Sequence, residues 1–203
     1  MQVSLTKIFQ FPAQGIIHIF GKRSSGRARV TREIVQNVRP EWAVVFSDRE
    51  FKWDRYVPRE FIFDSASLPS KITDIMKLPR SSGVIIFDNL RWTCDILDTD
   101  WFRKFVQNAQ HYNLLINITD LENTDHPEYA PYVFPRYYMD SLVMSIITSK
   151  VCNPDNIEKL QSNFLWSLSV SIEPEQLQNI LEVVENRKNA FVYDNISGDM
   201  RYM

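Results

Sequence analysis

Apolar residues fall in short β-type runs that alternate with segments of helical spacing along the whole chain. Gly15–Phe20 (GIIHIF), Trp42–Phe46 (WAVVF), Gly83–Phe87 (GVIIF), Leu114–Thr119, Ser141–Thr148 and Ala190–Tyr193 read as strands. The third of these runs is apolar throughout, as a strand covered on both faces is. Between them, 28–38, 70–77, 98–110, 155–165 and 173–186 carry helical patterns. In 98–110 the residues Trp101, Phe102, Phe105 and Val106 share one side. Pro40 and Pro79 mark helix ends. The stretch 51–68 is irregular, aromatic and broken by proline, and for its part FKWDRYVPREFIFD (51–64) core is the default reading and a docking surface the alternative. Residues 120–135 read as loop, and Ala190–Tyr193 as the last strand before a polar turn and the end Arg201-Tyr202-Met203. Strand and helix in alternation predict an α/β domain with a mainly parallel central sheet, here one domain spanning residues 1–203.

The first strand leads into Gly21, four residues, Gly26 and a basic helix start: GKRSSGRARVTR. This is the spacing of the phosphate-binding loop G-x-x-x-x-G-K-[ST], with Arg27 in the lysine position and Ala28 in the hydroxyl position. Gly21, Lys22, Arg23, Ser24, Ser25, Gly26, Arg27 and Ala28 are therefore the candidate nucleotide-binding residues. Backbone N–H groups and a helix N-terminus hold phosphate whatever the side chains are. The lysine reaches the β/γ-phosphates and the hydroxyl binds Mg²⁺. Arginine keeps the charge, but its planar fork differs in shape from an ammonium, and alanine cannot bind Mg²⁺. Losing one transition-state donor costs about 3–4 kcal/mol, so hydrolysis should be impaired or absent. The plain alternative is a glycine-containing strand-to-helix turn with no chemistry.

A loop of this kind needs an acid at the carboxyl end of a nearby strand. Val84–Asn89 (VIIFDN) supplies Asp88, the candidate Mg²⁺ acid, and Asn89 where a second acid would activate water. An Asp-Asn turn is the competing reading.

Composition narrows the class. A net charge of −2 argues against a globally basic nucleic-acid binder. Lys22, Arg23, Arg27, Arg29, Arg32 and Arg39 nevertheless gather near one helix N-terminus, where the macrodipole favours anions. Cys94 and Cys152 form no C-x-x-C pair and read as buried apolar residues in a reducing compartment. His18, His111 and His126 have no ligand spacing, and no apolar run reaches the ~20 residues that span a bilayer.

Taken in order, GKRSSGRARVTREI, VIIFDN, NAQHYN (108–113), the strand ending Thr119-Asp120-Leu121, FPRYYMD (134–140) and AFVYDN followed by RYM resemble one family across residues 5–203. It is the genome-packaging ATPases of nucleocytoplasmic large DNA viruses, a branch of the FtsK/HerA-type P-loop superfamily. The resemblance implies a RecA/FtsK-like P-loop NTPase fold, a three-layer sandwich. It implies ATP or ADP and Mg as ligands. It also places Arg136 where an arginine could contact a neighbouring subunit's phosphate, although an ion pair with Asp140 one turn away is the simpler role. Arg27, Ala28, Asn89, Gln110 and Leu121 depart from the family pattern at positions expected to carry chemistry. The expectation is a degenerate member, a pseudo-ATPase serving as a structural or assembly component of a virion or its packaging machinery. Its expected place is the virion or the host cytoplasm. Its expected partners are capsid or packaging proteins, double-stranded DNA and copies of itself. An active packaging ATPase with an unorthodox loop, and a minor capsid or interaction module binding neither nucleotide nor DNA, are the alternatives.

Overall fold

A computed structural model describes residues 10–22, 24–47, 53, 55–57, 61–75, 77–78, 82–88, 99–120, 136–149, 174–187 and 189–203. The elements run β1 (Gly15–Gly21), α1 (Arg27–Val38), β2 (Trp42–Ser47), β3 (Ile62–Phe63), α2 (Leu68–Ile75), β4 (Gly83–Asp88) and α3 (Asp100–Ala109). They continue with β5 (Leu114–Asp120), α4 (Arg136–Met139), β6 (Leu142–Ile147), α5 (Pro174–Arg187), β7 (Phe191–Asp194) and β8 (Met200–Tyr202). Each predicted strand forms, within a residue or two at its ends.

The strands make one eight-stranded sheet in the order β3-β2-β4-β5-β1-β6-β7-β8. The first six are parallel, while β7 and β8 run antiparallel to their neighbours. Two departures from the sequence reading stand out. The aromatic stretch contributes the short parallel edge strand β3. Nor is Ala190–Tyr193 the last strand: the chain turns back, and Met200–Tyr202 pairs with it, with Asp194 Oδ1 accepting the N–H groups of Ile196 and Ser197 in the turn. Local hydropathy missed both because the strands are only two and three residues long, and in β8 exposed side chains also break the apolar run.

Alternation along the strands sends side chains to two cores, one on each face of the sheet. One contains Ile16, Phe20, Ile85, Phe87 and Leu115 and is covered by Phe102, Phe105 and Val106 of α3 and by Leu177, Leu181 and Val184 of α5. The other contains Ile17, Ile19, Val45, Ile86 and Ile116 and is covered by Val30 and Ile34 of α1, with Trp53 and Val57. The result is the three-layer α/β/α sandwich that the sequence predicted. No helix among the described residues is long and apolar enough to cross a membrane.

NAQHYN has a structural role. Asn113 Oδ1 accepts the N–H of Gly83 at the start of β4, and the carbonyls of Gln110 and Asn113 accept the N–H of Gly15 at the start of β1. The segment thus aligns the N-terminal ends of three strands. Cys94, Cys152, His126, Asn89, Leu121 and the predicted helix 155–165 lie outside the described residues.

Candidate functional site at the carboxyl end of the central strand

β1 lies between β5 and β6, and the chain leaves it toward β2 while the later strands build on its other side. In an open α/β sheet, the carboxyl end of such a switch-point strand opens a crevice between diverging connections. The turn Gly21–Gly26 sits there. Ser24 and Gly26 both adopt left-handed backbone, φ 65° and 96°, which swings the chain from strand into helix. α1 then begins at Arg27 with no side-chain cap and no acidic residue in its first turn. Its leading amides and dipole therefore open toward the crevice with no carboxylate from the helix's own first turn against them, as suits an anion site.

The base of the turn is clamped by the segment just after β6. Thr148 N–H and Oγ1 both donate to Phe20 O, at 2.8 and 2.9 Å. Thr148 Oγ1 pairs with Ser25 Oγ at 2.6 Å, and the Lys22 N–H donates to Ser149 Oγ at 2.8 Å. These ties explain Gly21: a Cβ there would run into the Ser25 and Thr148 hydroxyls. Gly21→Ala should cost about 1–3 kcal/mol, read as a lower urea midpoint with unchanged slope. An unchanged midpoint would contradict the clamp. Nothing in the local sequence marked Thr148 and Ser149, because their role depends on β6 lying beside β1, more than a hundred residues away.

The charged candidates divide. Lys22 Nζ lies 3.0 Å from Glu185 Oε1 of α5, which draws its ammonium toward the helix. Both groups are partly exposed, so the pair is worth at most about 1 kcal/mol. Arg27 is 8% exposed and heads the stripe Arg27, Val30, Thr31, Ile34 that α1 presents to the sheet. Arg32 Nε donates to Ala28 O, and its guanidinium bonds the Tyr56 hydroxyl and lies over that ring, 5.0 Å from the centroid. Ala28 is partly exposed and offers no ligand atom. Arg23 lies outside the described residues.

Asp88 ends β4, buried at 4% exposure, on the sheet face that α1 and Trp53 cover. β5 separates its strand from β1, and through the register Asp88 is level with Ile118 and Ile19, two residues short of Gly21. Its Oδ2 accepts two hydrogen bonds, from Trp53 Nε1 at 2.8 Å and Ser47 Oγ at 3.2 Å. Trp53, 1% exposed, is thus part of the site and of the core, and the aromatic stretch is split: Trp53 and Val57 are buried while Tyr56 and Phe61 are exposed.

The other candidates are not brought to this crevice. Gln110 meets Gly15 at the far end of β1, roughly 20 Å from Gly21 at the usual strand rise. What the structure gives Gln110 there is a backbone role, its carbonyl anchoring the start of β1. Arg136 opens α4, which leads into the start of β6 at that same far end; its side chain lies outside the described residues. Tyr138 of α4 is buried, its hydroxyl accepting from Asn117 Nδ2 at 3.1 Å, and burial pushes its phenol well up from the ordinary range. Tyr138 also meets His18 edge-on, at 6.1 Å between centroids. His18 stacks on Phe20 in the middle of β1, and burial holds its imidazole well below its ordinary range.

No protein-family model matches the chain, and no curated protein matches it by sequence. Solved structures do match by shape. The genome-packaging NTPase B204 of Sulfolobus turreted icosahedral virus 2, in complex with sulfate, superposes with a TM-score of 0.67 at 10% identity, covering 94% of this chain and 96% of that one. Its complex with AMPPCP gives 0.64 at 12% identity, covering 94% and 97%. The fold is that of the P-loop ATPases. ATPases 2 and 3 of Thermomonospora curvata EccC match less closely, with a TM-score of 0.50 at 15% identity, covering 93% of this chain but 36% of theirs. The viral neighbour is not from a nucleocytoplasmic large DNA virus, so the likeness reaches the P-loop ATPase fold and not the narrower group that the sequence resembled.

Proposed function

We propose that this protein works in viral DNA packaging or virion assembly, with a phosphate-binding turn at Gly21–Ala28 that holds a nucleotide or polyphosphate without hydrolysing ATP at motor rates. One juxtaposition carries the reading. An uncapped helix N-terminus behind two left-handed turn residues suits phosphate, while the chemical positions beside it are changed: Ala28 has no hydroxyl and Asp88 is engaged by Trp53.

Mg²⁺ does not fit these residues as it would a working loop, since position 28 lacks an oxygen and the acid's Oδ2 already accepts two donors. Lys22 is a poor substitute for the missing lysine because the intact loop of the resembled family also carries a lysine at that position. The viral setting is supported by near-complete mutual coverage with B204, whereas EccC is a much longer protein. On this reading the partners are capsid or packaging proteins, double-stranded DNA and copies of the chain, and the protein resides in the virion or the host cytoplasm.

Calorimetry with ADP and with pyrophosphate in EDTA tests the turn. Binding should occur and raise the melting temperature, by an amount equivalent to about 2.7 kcal/mol at a hundred-fold excess over Kd. Phosphate release from ATP with Mg²⁺ should not exceed that of Asp88→Ala. Absence of binding, or turnover that Asp88→Ala abolishes, would overturn the proposal.

A further inference from the structure

We infer that Trp53 occupies the position from which a divalent cation would engage Asp88, making this end of the sheet metal-free by construction. The inference deepens the proposed function and rests on it only for the consequence that a phosphate ligand binds without metal.

The contact is anchored from several sides. Trp53 Nε1 lies 2.8 Å from Asp88 Oδ2 with both residues buried. The carbonyl of Trp53 accepts the N–H groups of Tyr56 and Val57, at 2.8 and 3.0 Å, closing one tight turn. Val57 is buried beneath that turn, and Tyr56 is hooked to Arg32 of α1, the helix that follows the glycine turn. Ser47 Oγ, on the neighbouring strand, approaches the same oxygen.

The chemistry of the donor decides the meaning. An indole N–H can only donate. A hydroxyl or water in its place could rotate and offer a lone pair to a metal, but the indole presents a fixed positive pole to the carboxylate. It satisfies the acid as a cation would, and it repels a cation arriving from that side. Mg²⁺ also requires close octahedral oxygen ligands at about 2.0–2.1 Å, and Ala28 withholds the one that the loop normally supplies. Two separate features, the missing hydroxyl at Ala28 and the indole of Trp53, therefore act in the same direction.

Mn²⁺ alone is the probe, with the full chain. Free Mn²⁺ is followed by electron paramagnetic resonance, and the ¹⁵N-labelled Trp53 indole signal, assigned by its loss in Trp53→Phe, is followed by NMR. Wild type and Ala28→Ser should bind no more Mn²⁺ than Asp88→Asn does, and the Trp53 indole signal should keep its intensity. Ala28→Ser/Trp53→Phe should bind Mn²⁺ at least tenfold more tightly than Ala28→Ser, and Asp88→Asn should remove that gain. Three results would overturn the inference: selective broadening of the wild-type Trp53 signal that Asp88→Asn abolishes, Mn²⁺ binding by Ala28→Ser equal to that of the double variant, or no gain in a folded double variant. If the Trp53→Phe variants do not fold, the indole signal is assigned by elimination, replacing the other four tryptophans one at a time, and the wild-type titration decides alone. Pyrophosphate binding in EDTA is scored separately, so failure of the phosphate turn and failure of the Trp53 inference are distinguishable.

Discussion

Trp53→Ala should lower the free energy of unfolding by about 3–5 kcal/mol, the range for truncating a buried aromatic side chain. Two losses combine. The indole is among the largest fully buried side chains and packs in the core on the α1 face of the sheet, so its removal leaves a cavity. The buried Asp88 carboxylate also loses its 2.8 Å donor, and an acceptor stripped of its partner costs about 1–3 kcal/mol by itself. Trp53→Phe keeps most of the volume and should show mainly the second loss. A double-mutant cycle of Trp53→Phe with Asp88→Asn isolates the pair, because neighbours that share one hydrogen bond are not additive. Urea unfolding provides the measurement. A loss under about 1 kcal/mol for Trp53→Ala would mean that the side chain is not buried against Asp88 as described.

The second large effect concerns acid. His18 lies at the centre of the sheet, directly opposite Asn117 on β5 and Ser145 on β6, with the Phe20 ring 3.9 Å away and Tyr138 beyond it. Burial lowers its folded-state pKa well below the ordinary 6.5. The unfolded chain therefore takes up a proton near pH 6.5 that the folded chain refuses. Stability is fully present above that pH and falls as pH drops toward the folded-state value, by up to about 1.4 kcal/mol per pH unit. Between pH 7 and pH 5 the wild type should lose more stability than His18→Leu, which has similar volume and no titration. Carboxylates titrate in both proteins and cancel in the difference. Parallel pH profiles would show that the imidazole accepts its proton without unfolding.

The mainly parallel α/β arrangement was legible because its signal is local, whereas the three-layer sandwich came with the family resemblance. GVIIF is apolar enough to demand cover on both faces, and the helical stripe of Phe102, Phe105 and Val106 supplies part of it. The glycine turn was legible for a similar reason. Gly26 takes a left-handed conformation that suits glycine, and Gly21 has no room for a Cβ, so backbone geometry writes itself into residue choice. The later landmarks were legible as a pattern and not as roles. NAQHYN looked like part of the chemistry, yet Asn113 and Gln110 fasten strand starts at the opposite end of β1. A motif's order along the chain does not state which end of the sheet it reaches.

Sequence alone determined the alternation of elements, the position of the glycine turn, the missing hydroxyl at Ala28 and the acid at the end of β4, since each depends on residues within a few positions of one another. Tertiary structure alone decided who meets those residues. It brought Thr148 and Ser149 under the turn, Glu185 to Lys22, and Trp53 to Asp88. These partners are separated from the groups they touch by tens to more than a hundred residues, and strand order places them side by side. A carboxylate's partner is a property of the folded sheet, so Asp88 could be read from the chain as an acid at a strand end, while its engagement by an indole could be read only from the fold.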